Sequence, residues 1–285
     1  MTKNSLLLIY CSIFLLATLL IILFAIDFYS PSTYKVKNID GDEFIAYKDG
    51  KIRFQRQGNE KHSIVLLHGF NGSLNNWNNV WPHLSSCASA IRLDIPGFGQ
   101  SEWKSDDYSL PKQSQRIFQL LDSLNIETAT LVGTSMGGSL SAWMAAEQPS
   151  RITSLVLAAP SGFPGSLDAG PIGSIVYRPG IVNRAIKTIA TSSLYKYLFP
   201  DSRITQAVSV TSTYGKAWVD KISQIIQPTI IIWSEGDLRI PFQYSNKIMK
   251  LIPQAHLVQA SKDAKHNIPG RNPELLADQI CELQK

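Results

Sequence analysis

The sequence predicts an α/β fold: a mostly parallel sheet with helices on both faces, an inserted helical cap, and one N-terminal transmembrane helix in front. Three observations predict it. Short unbroken apolar runs, the pattern of strands buried on both faces, alternate with segments of helical spacing. That alternation breaks once, between Ser161 and Ile225. The 23 residues from Asn4 to Ile26 carry no charge at all. A chain of 285 residues builds a stable core without disulfides or structural metal. Its 44% hydrophobic and 17% charged content excludes a disordered chain. Three cysteines with no CxxC spacing exclude a disulfide framework and a four-cysteine zinc site. The net charge of +5 comes without a Lys/Arg run, zinc finger or RNP-type motif, which speaks against nucleic-acid binding.

In chain order, Asn4–Ile26 is bracketed by Lys3 and Asp27. About 20 apolar residues span a bilayer core as a helix. A cleaved signal peptide has an apolar stretch of only ~7–15 residues before a small-x-small site. Leu23-Phe24-Ala25-Ile26-Asp27 offers no such site, so residues 4–26 are expected to be an uncleaved single-pass anchor. An atypical signal peptide is the alternative. Lys3 on one side and Lys35 and Lys37 on the other give little orientational bias. The short N-terminal tail favours N-in, which puts the main domain on the non-cytosolic face. Residues 27–40, with Pro31, read as a linker.

Strands are expected at Lys51–Gln55, Ser63–Leu67, Ala90–Ile95, Thr128–Val132, Ile152–Ala158, Thr229–Trp233 and His256–Gln259. Helices are expected at Ser109–Leu124, Met136–Glu147, Phe242–Leu251 and Pro273–Leu283. The core is therefore assigned to 41–160 and 226–285, and the cap to 161–225. The cap carries seven basic side chains against Asp168, Asp201 and Asp220, interleaved with aromatic residues. This pattern suits either an ordinary solvated face or a surface resting on anionic lipid. Cys87 and Cys281 are either free thiols or a pair. In such sheets functional groups gather at the carboxyl ends of strands. That rule singles out His68, Asp94, Ser135, Pro160, Asp237 and the segment after Gln259.

Gly133-Thr134-Ser135-Met136-Gly137 fits G-x-S-x-G between an expected strand and an expected helix. A sharp turn there lifts the Ser135 hydroxyl clear of the chain, and the small neighbours leave room for it. The helix opening at Met136 aims amide dipoles at developing negative charge. A structural serine at a glycine-rich turn is the bland alternative. A serine hydroxyl needs a base. Of the five histidines, only His266 lies in a loop after the last strand and before the last helix. His68, directly before Gly69, is its competitor, better read as loop geometry. The base needs an acid. Asp237 follows the Thr229–Trp233 strand, with Glu235 and Asp168 as rivals. The backbone N–H groups of Phe70 and Met136 are the expected oxyanion donors. Asn71-Gly72-Ser73 is a formal glycosylation acceptor but lies beside this loop.

Together these residues resemble the α/β-hydrolase superfamily. The likeness is carried by His68-Gly69-Phe70, Asp94 through Ser101, Gly133 through Gly138, Trp233 through Pro241, and His266-Asn267-Ile268-Pro269 with Asn272-Pro273-Glu274. Within it the chain is similar to monoacylglycerol-lipase-type and esterase members with an N-terminal membrane helix. Ser234 departs from the glycine usual at that point of the pattern. The resemblance implies a serine carboxylic-ester hydrolase or lipase acting through a Ser135–His266–Asp237 triad and an acyl-enzyme. No cofactor or metal is implied; the partners are a small amphiphilic ester and the membrane. The same triad also serves carbon–carbon bond hydrolysis or acyl transfer, and a non-catalytic ligand-binding protein of this fold is a further alternative.

Overall fold

The computed structural model describes residues 40–58, 63–85, 87–105, 107–163, 181–199 and 202–284, with scattered positions between 5 and 18. Positions 5, 6, 8–12, 14, 15 and 18 of the expected anchor are helical; its remainder and nearly all of the linker lie outside the described residues. Among the described residues no helix is long and apolar enough to cross a membrane. Asp168 and the rest of 164–180 in the expected cap also lie outside them.

The described strands are β1 Glu43–Tyr47, β2 Gly50–Gln57, β3 Ser63–Leu67, β4 Ser89–Leu93, β5 Glu102–Trp103, β6 Ala129–Thr134, β7 Ile152–Ala158, β8 Thr229–Ser234 and β9 Ala255–Ala260. They form one sheet in the order β1-β2-β4-β3-β6-β7-β8-β9, with β5 against β2. Strands β4, β3, β6, β7, β8 and β9 are mutually parallel, and β1, β2 and β5 pair antiparallel at one margin. The burial pattern follows position. Every residue of β6 and β8 is buried, which suits their unbroken apolar runs, whereas β1 alternates half-buried and exposed positions. That alternation, with Phe44 and Ala46 on the open side, is why no apolar run reveals β1 in the sequence.

The described helices are α1 Trp81–Leu84, α2 Leu110–Ser123, α3 Met136–Glu147, α4 Ile181–Ala190, α5 Ser193–Leu198, α6 Arg203–Thr211, α7 Lys216–Ile222, α8 Gln243–Leu251, α9 Ile268–Arg271 and α10 Pro273–Glu282. Helix α3 is buried almost all round, and its small residues let it lie close to the sheet. A Cβ on Gly137 would meet the Leu67 carbonyl oxygen at 2.0 Å, and one on Gly133 the Gly137 carbonyl oxygen at 2.2 Å. Those contacts exclude any side chain at either position.

Helices α4 to α7 fall between β7 and β8. Ile186, Ala190, Tyr195, Ile204 and Val208 bury one another in a small cluster separate from the main core. This segment docks through the Ser209 hydroxyl, which accepts from Tyr108 N, and through Trp218 Nε1, which donates to the Ser139 carbonyl at 3.1 Å. Cys87 and Cys281 form a disulfide that closes a loop of 194 positions and ties the approach to β4 to α10.

Candidate active site

The backbone of Ser135 sits at φ +53°, ψ −117°, a region that L-residues with a side chain enter only under strain, at a cost on the order of 1–3 kcal/mol. The surrounding backbone holds it there. Its N–H donates to the Ala158 carbonyl at 3.0 Å, and its carbonyl accepts from Ser139 N and Ser161 N at 3.0 and 3.1 Å. The turn projects the side chain into a cavity of about 510 Å3, lined also by Gly69, Phe70, Met136, Tyr214 and His266.

His266 follows β9 on a short loop, directly after Lys265, whose φ is +51°. Its Nδ1 stands 2.7 Å from Asp237 Oδ2. The Asp237 carboxylate is fully buried, and its other oxygen accepts from Arg239 N and Ile240 N, each at 2.9 Å. With Nδ1–H given to Asp237, the neutral ring keeps Nε2 as its acceptor. Phe70 and Met136 flank the same cavity, Met136 as the first residue of α3. A Cβ on Gly69 would lie 3.3 Å from Ser135 Cβ, so the loop after β3 runs against the Ser135 turn. Ser135, His266, Phe70 and Met136 thus share one cavity, with Asp237 behind His266. The rival Glu235 is exposed and lines none of it.

Two residues singled out at strand ends have other duties. His68 is buried; its Nε2 accepts from Ile95 N at 3.0 Å and its Nδ1 faces the Gly69 carbonyl at 2.7 Å. Both nitrogens are therefore occupied in a neutral Nδ1–H ring. Burial pushes its pKa below the usual histidine value, opposed by the neighbouring Asp94 charge. Asp94, also buried, lies outside the cavity lining. Its carboxylate accepts from Leu74 N and Gln100 N and pairs with Arg53, tying the loops after β3 and β4 together.

Ser234, the departure from glycine, is fully buried. Its hydroxyl donates to the Ser261 carbonyl at 2.7 Å and accepts from Gly236 N at 3.1 Å, joining the Asp237 loop to the His266 loop. Sequence reasoning did not single out Ser161, Val210, Thr211, Tyr214 or Arg271, all of which line the cavity together with Arg239. Val210, Thr211 and Tyr214 come from a segment without a motif, so no spacing marks them. Arg239 and Arg271 are visible as charges near Asp237 and His266, but only the fold turns them to one mouth.

A family model described as the alpha/beta hydrolase fold matches residues 62–178. The dihydrolipoyllysine-residue acetyltransferase component of an acetoin cleaving system from Cupriavidus necator is 30% identical over 141 residues, which is 50% of this chain and 36% of that protein. A monoacylglycerol lipase of Xenopus laevis is 25% identical over 279 residues, covering 85% of this chain and 82% of the relative. Among solved structures, a bacterial membrane phospholipase A superposes with a TM-score of 0.69 at 20% identity, over 99% of this chain and 98% of that one. The parallel sheet, the strained serine turn between β6 and α3, and these likenesses agree: the chain has the α/β-hydrolase fold and resembles the lipase-type members that share it.

Proposed function

We propose that the protein is a membrane-anchored serine hydrolase of carboxylic esters, of the lipase or monoacylglycerol-lipase kind. The observation that carries this reading is Ser135, held at positive φ in one cavity with a His266 whose Nδ1 is bonded to a buried Asp237. In this reading His266 Nε2 takes the Ser135 proton as the hydroxyl attacks the ester carbonyl. Asp237 holds the ring's tautomer and stabilises the imidazolium. The Phe70 and Met136 amides hold the tetrahedral oxyanion. His266 then protonates the departing alcohol, and water activated by the same ring hydrolyses the acyl-enzyme. The apolar wall of Phe70, Met136 and Val210 suits an acyl chain.

The uncharged run of residues 4–26 supports the anchor. The Cys87–Cys281 disulfide supports a domain on the non-cytosolic side, because disulfides persist in oxidising compartments. The likeness to an acetyltransferase component favours a second reading, in which another acceptor than water resolves the acyl-enzyme.

The test is turnover of p-nitrophenyl esters from acetate to palmitate by the full chain in mild detergent. Ser135→Ala is expected to lower kcat on the order of 10⁴–10⁶-fold with an unchanged circular dichroism spectrum. Near-wild-type turnover by that variant would remove Ser135 as the nucleophile. Turnover that rises several-fold with an added alcohol or thiol, giving the transferred ester, would favour the acyl-transfer reading.

A further inference from the structure

Resting on the ester-hydrolase reading of this site, we propose that its substrate is an anionic amphiphile, an ester whose phosphate or carboxylate group is held by Arg239, Lys265 and Arg271. All three residues line the cavity, and among the described residues no aspartate or glutamate lines it with them. They come from the two chain segments that carry Asp237 and His266. Arg239 is two residues past Asp237, Lys265 directly precedes His266, and Arg271 ends α9, the helix that follows His266. Phe70, Met136 and Val210 give the same cavity apolar lining. A molecule bound across Ser135 therefore has both hydrophobic surface and cations within one cavity.

These cations are also unspent. Elsewhere on the surface Lys51, Arg56, Arg151 and Lys216 each pair with a carboxylate. Among the described residues Arg239 and Lys265 form no ion pair, and Arg271 commits one N–H to the Asp263 carbonyl oxygen at 2.9 Å. Of the carboxylates near them in sequence, Asp237 is buried and committed to His266 Nδ1 and the Arg239 and Ile240 amides, and the exposed Glu235, Asp263 and Glu274 form no ion pair with any of the three among the described residues. Like charges gathered at a concave mouth raise the local concentration of an oppositely charged ligand. Two arginines add planar forks matched to the oxygens of phosphate or carboxylate. Because all three side chains reach solvent, the preference is sensitive to salt.

The experiment compares four probes below their micelle concentrations: decyl phosphate, decanoate, decanol and inorganic phosphate. Each is assayed as a competitor of p-nitrophenyl butyrate hydrolysis by the full chain, and by calorimetry for binding to Ser135→Ala. Decyl phosphate and decanoate are expected to bind about tenfold tighter than decanol at low salt. That advantage should shrink to within about threefold at high salt and in Arg239→Glu/Arg271→Glu, while Arg239→Lys/Arg271→Lys retains most of it. Inorganic phosphate should compete weakly, since it lacks the chain. Equal binding of decanol, a preference surviving the double charge reversal, or inorganic phosphate matching decyl phosphate would each overturn the proposal. A chain that binds decyl phosphate selectively but hydrolyses no ester keeps the anionic site and loses the hydrolase reading. One that hydrolyses esters without anion preference does the reverse.

Discussion

The β6–α3 turn and the segment between β7 and β8 meet at the same cavity but are built by different means. At the turn, the shortest restraints are backbone hydrogen bonds, helped by the absence of side chains at the flanking glycines. Three backbone hydrogen bonds fix Ser135, and Gly133 and Gly137 leave gaps that no Cβ could occupy. The inserted segment has its own small apolar cluster and reaches the core through side chains. Examples are Trp218 Nε1 to Ser139 O and the Ser161 hydroxyl 2.7 Å from Ser139 Oγ. A backbone-defined turn tolerates almost no sequence change, so its glycines are legible. A side-chain interface tolerates many solutions, so it leaves no motif and is free to set which substrate is accepted.

If that division is right, damage to the core site should fall on kcat and damage to the inserted segment on KM. The largest effect is expected at Asp237→Asn. The amide still accepts from Arg239 N and Ile240 N, but it no longer favours the Nδ1–H ring of His266. A fall in kcat on the order of 10³–10⁴-fold is expected, with KM changed less than about threefold. Steady-state kinetics on one chromogenic ester decides it, and a loss confined to KM would break the comparison.

Next in size is the disulfide. Removing it with the double substitution Cys87→Ser/Cys281→Ser reopens a loop of 194 positions in the unfolded chain. A loss of about 2–5 kcal/mol is expected, or roughly 5–15 °C in Tm. The link packs against the main core and neither cysteine is among the described residues that line the cavity, so kcat and KM at 25 °C should stay within about twofold. Differential scanning calorimetry beside kinetics reads both. A Tm unchanged within about 1 °C would mean the pair contributes nothing to stability.

How much of this was legible follows the same line. Strands β3 and β7 match their apolar runs residue for residue, and α3 its glycine-led helical segment. The antiparallel margin was not legible. Strand β1 is only half-buried, β5 has two residues, and pairing direction is not a property of composition. Within the site, Ser135, His266 and Asp237 were ordered by strand ends, and the structure brings them to one place. The strand-end rule also nominated His68 and Asp94, because it marks where loops converge and not which of their groups face the cavity. Their hydrogen bonds tie loops to one another. Ser234 stood out as a departure, but its bond to Ser261 appears only once β8 and β9 lie side by side.

The smallest expected effect is the sharpest test of the comparison, at Tyr214→Phe. The Tyr214 hydroxyl meets Ser161 Oγ, Ser161 Oγ lies 2.7 Å from Ser139 Oγ, and Ser139 Oγ donates to the Ser135 carbonyl at 3.3 Å. A polar chain therefore joins the inserted segment to the nucleophile's backbone. Deleting one neutral hydrogen bond costs about 1 kcal/mol. KM is expected to rise about two- to fivefold with kcat within about twofold, since the turn keeps its backbone bonds. Burial also raises the phenol pKa above its ordinary 10.0, the hydrogen bond from Ser161 opposing it. The folded state then holds the proton that the unfolded chain releases above that value. Stability from this group is complete below about pH 10 and declines as pH rises further. The Tm of Tyr214→Phe should accordingly fall less steeply than wild type above pH 10, while the KM effect stays constant between pH 6 and 9. A kcat loss larger than the KM change would mean that the inserted segment holds the nucleophile turn itself, and the two regions would be one.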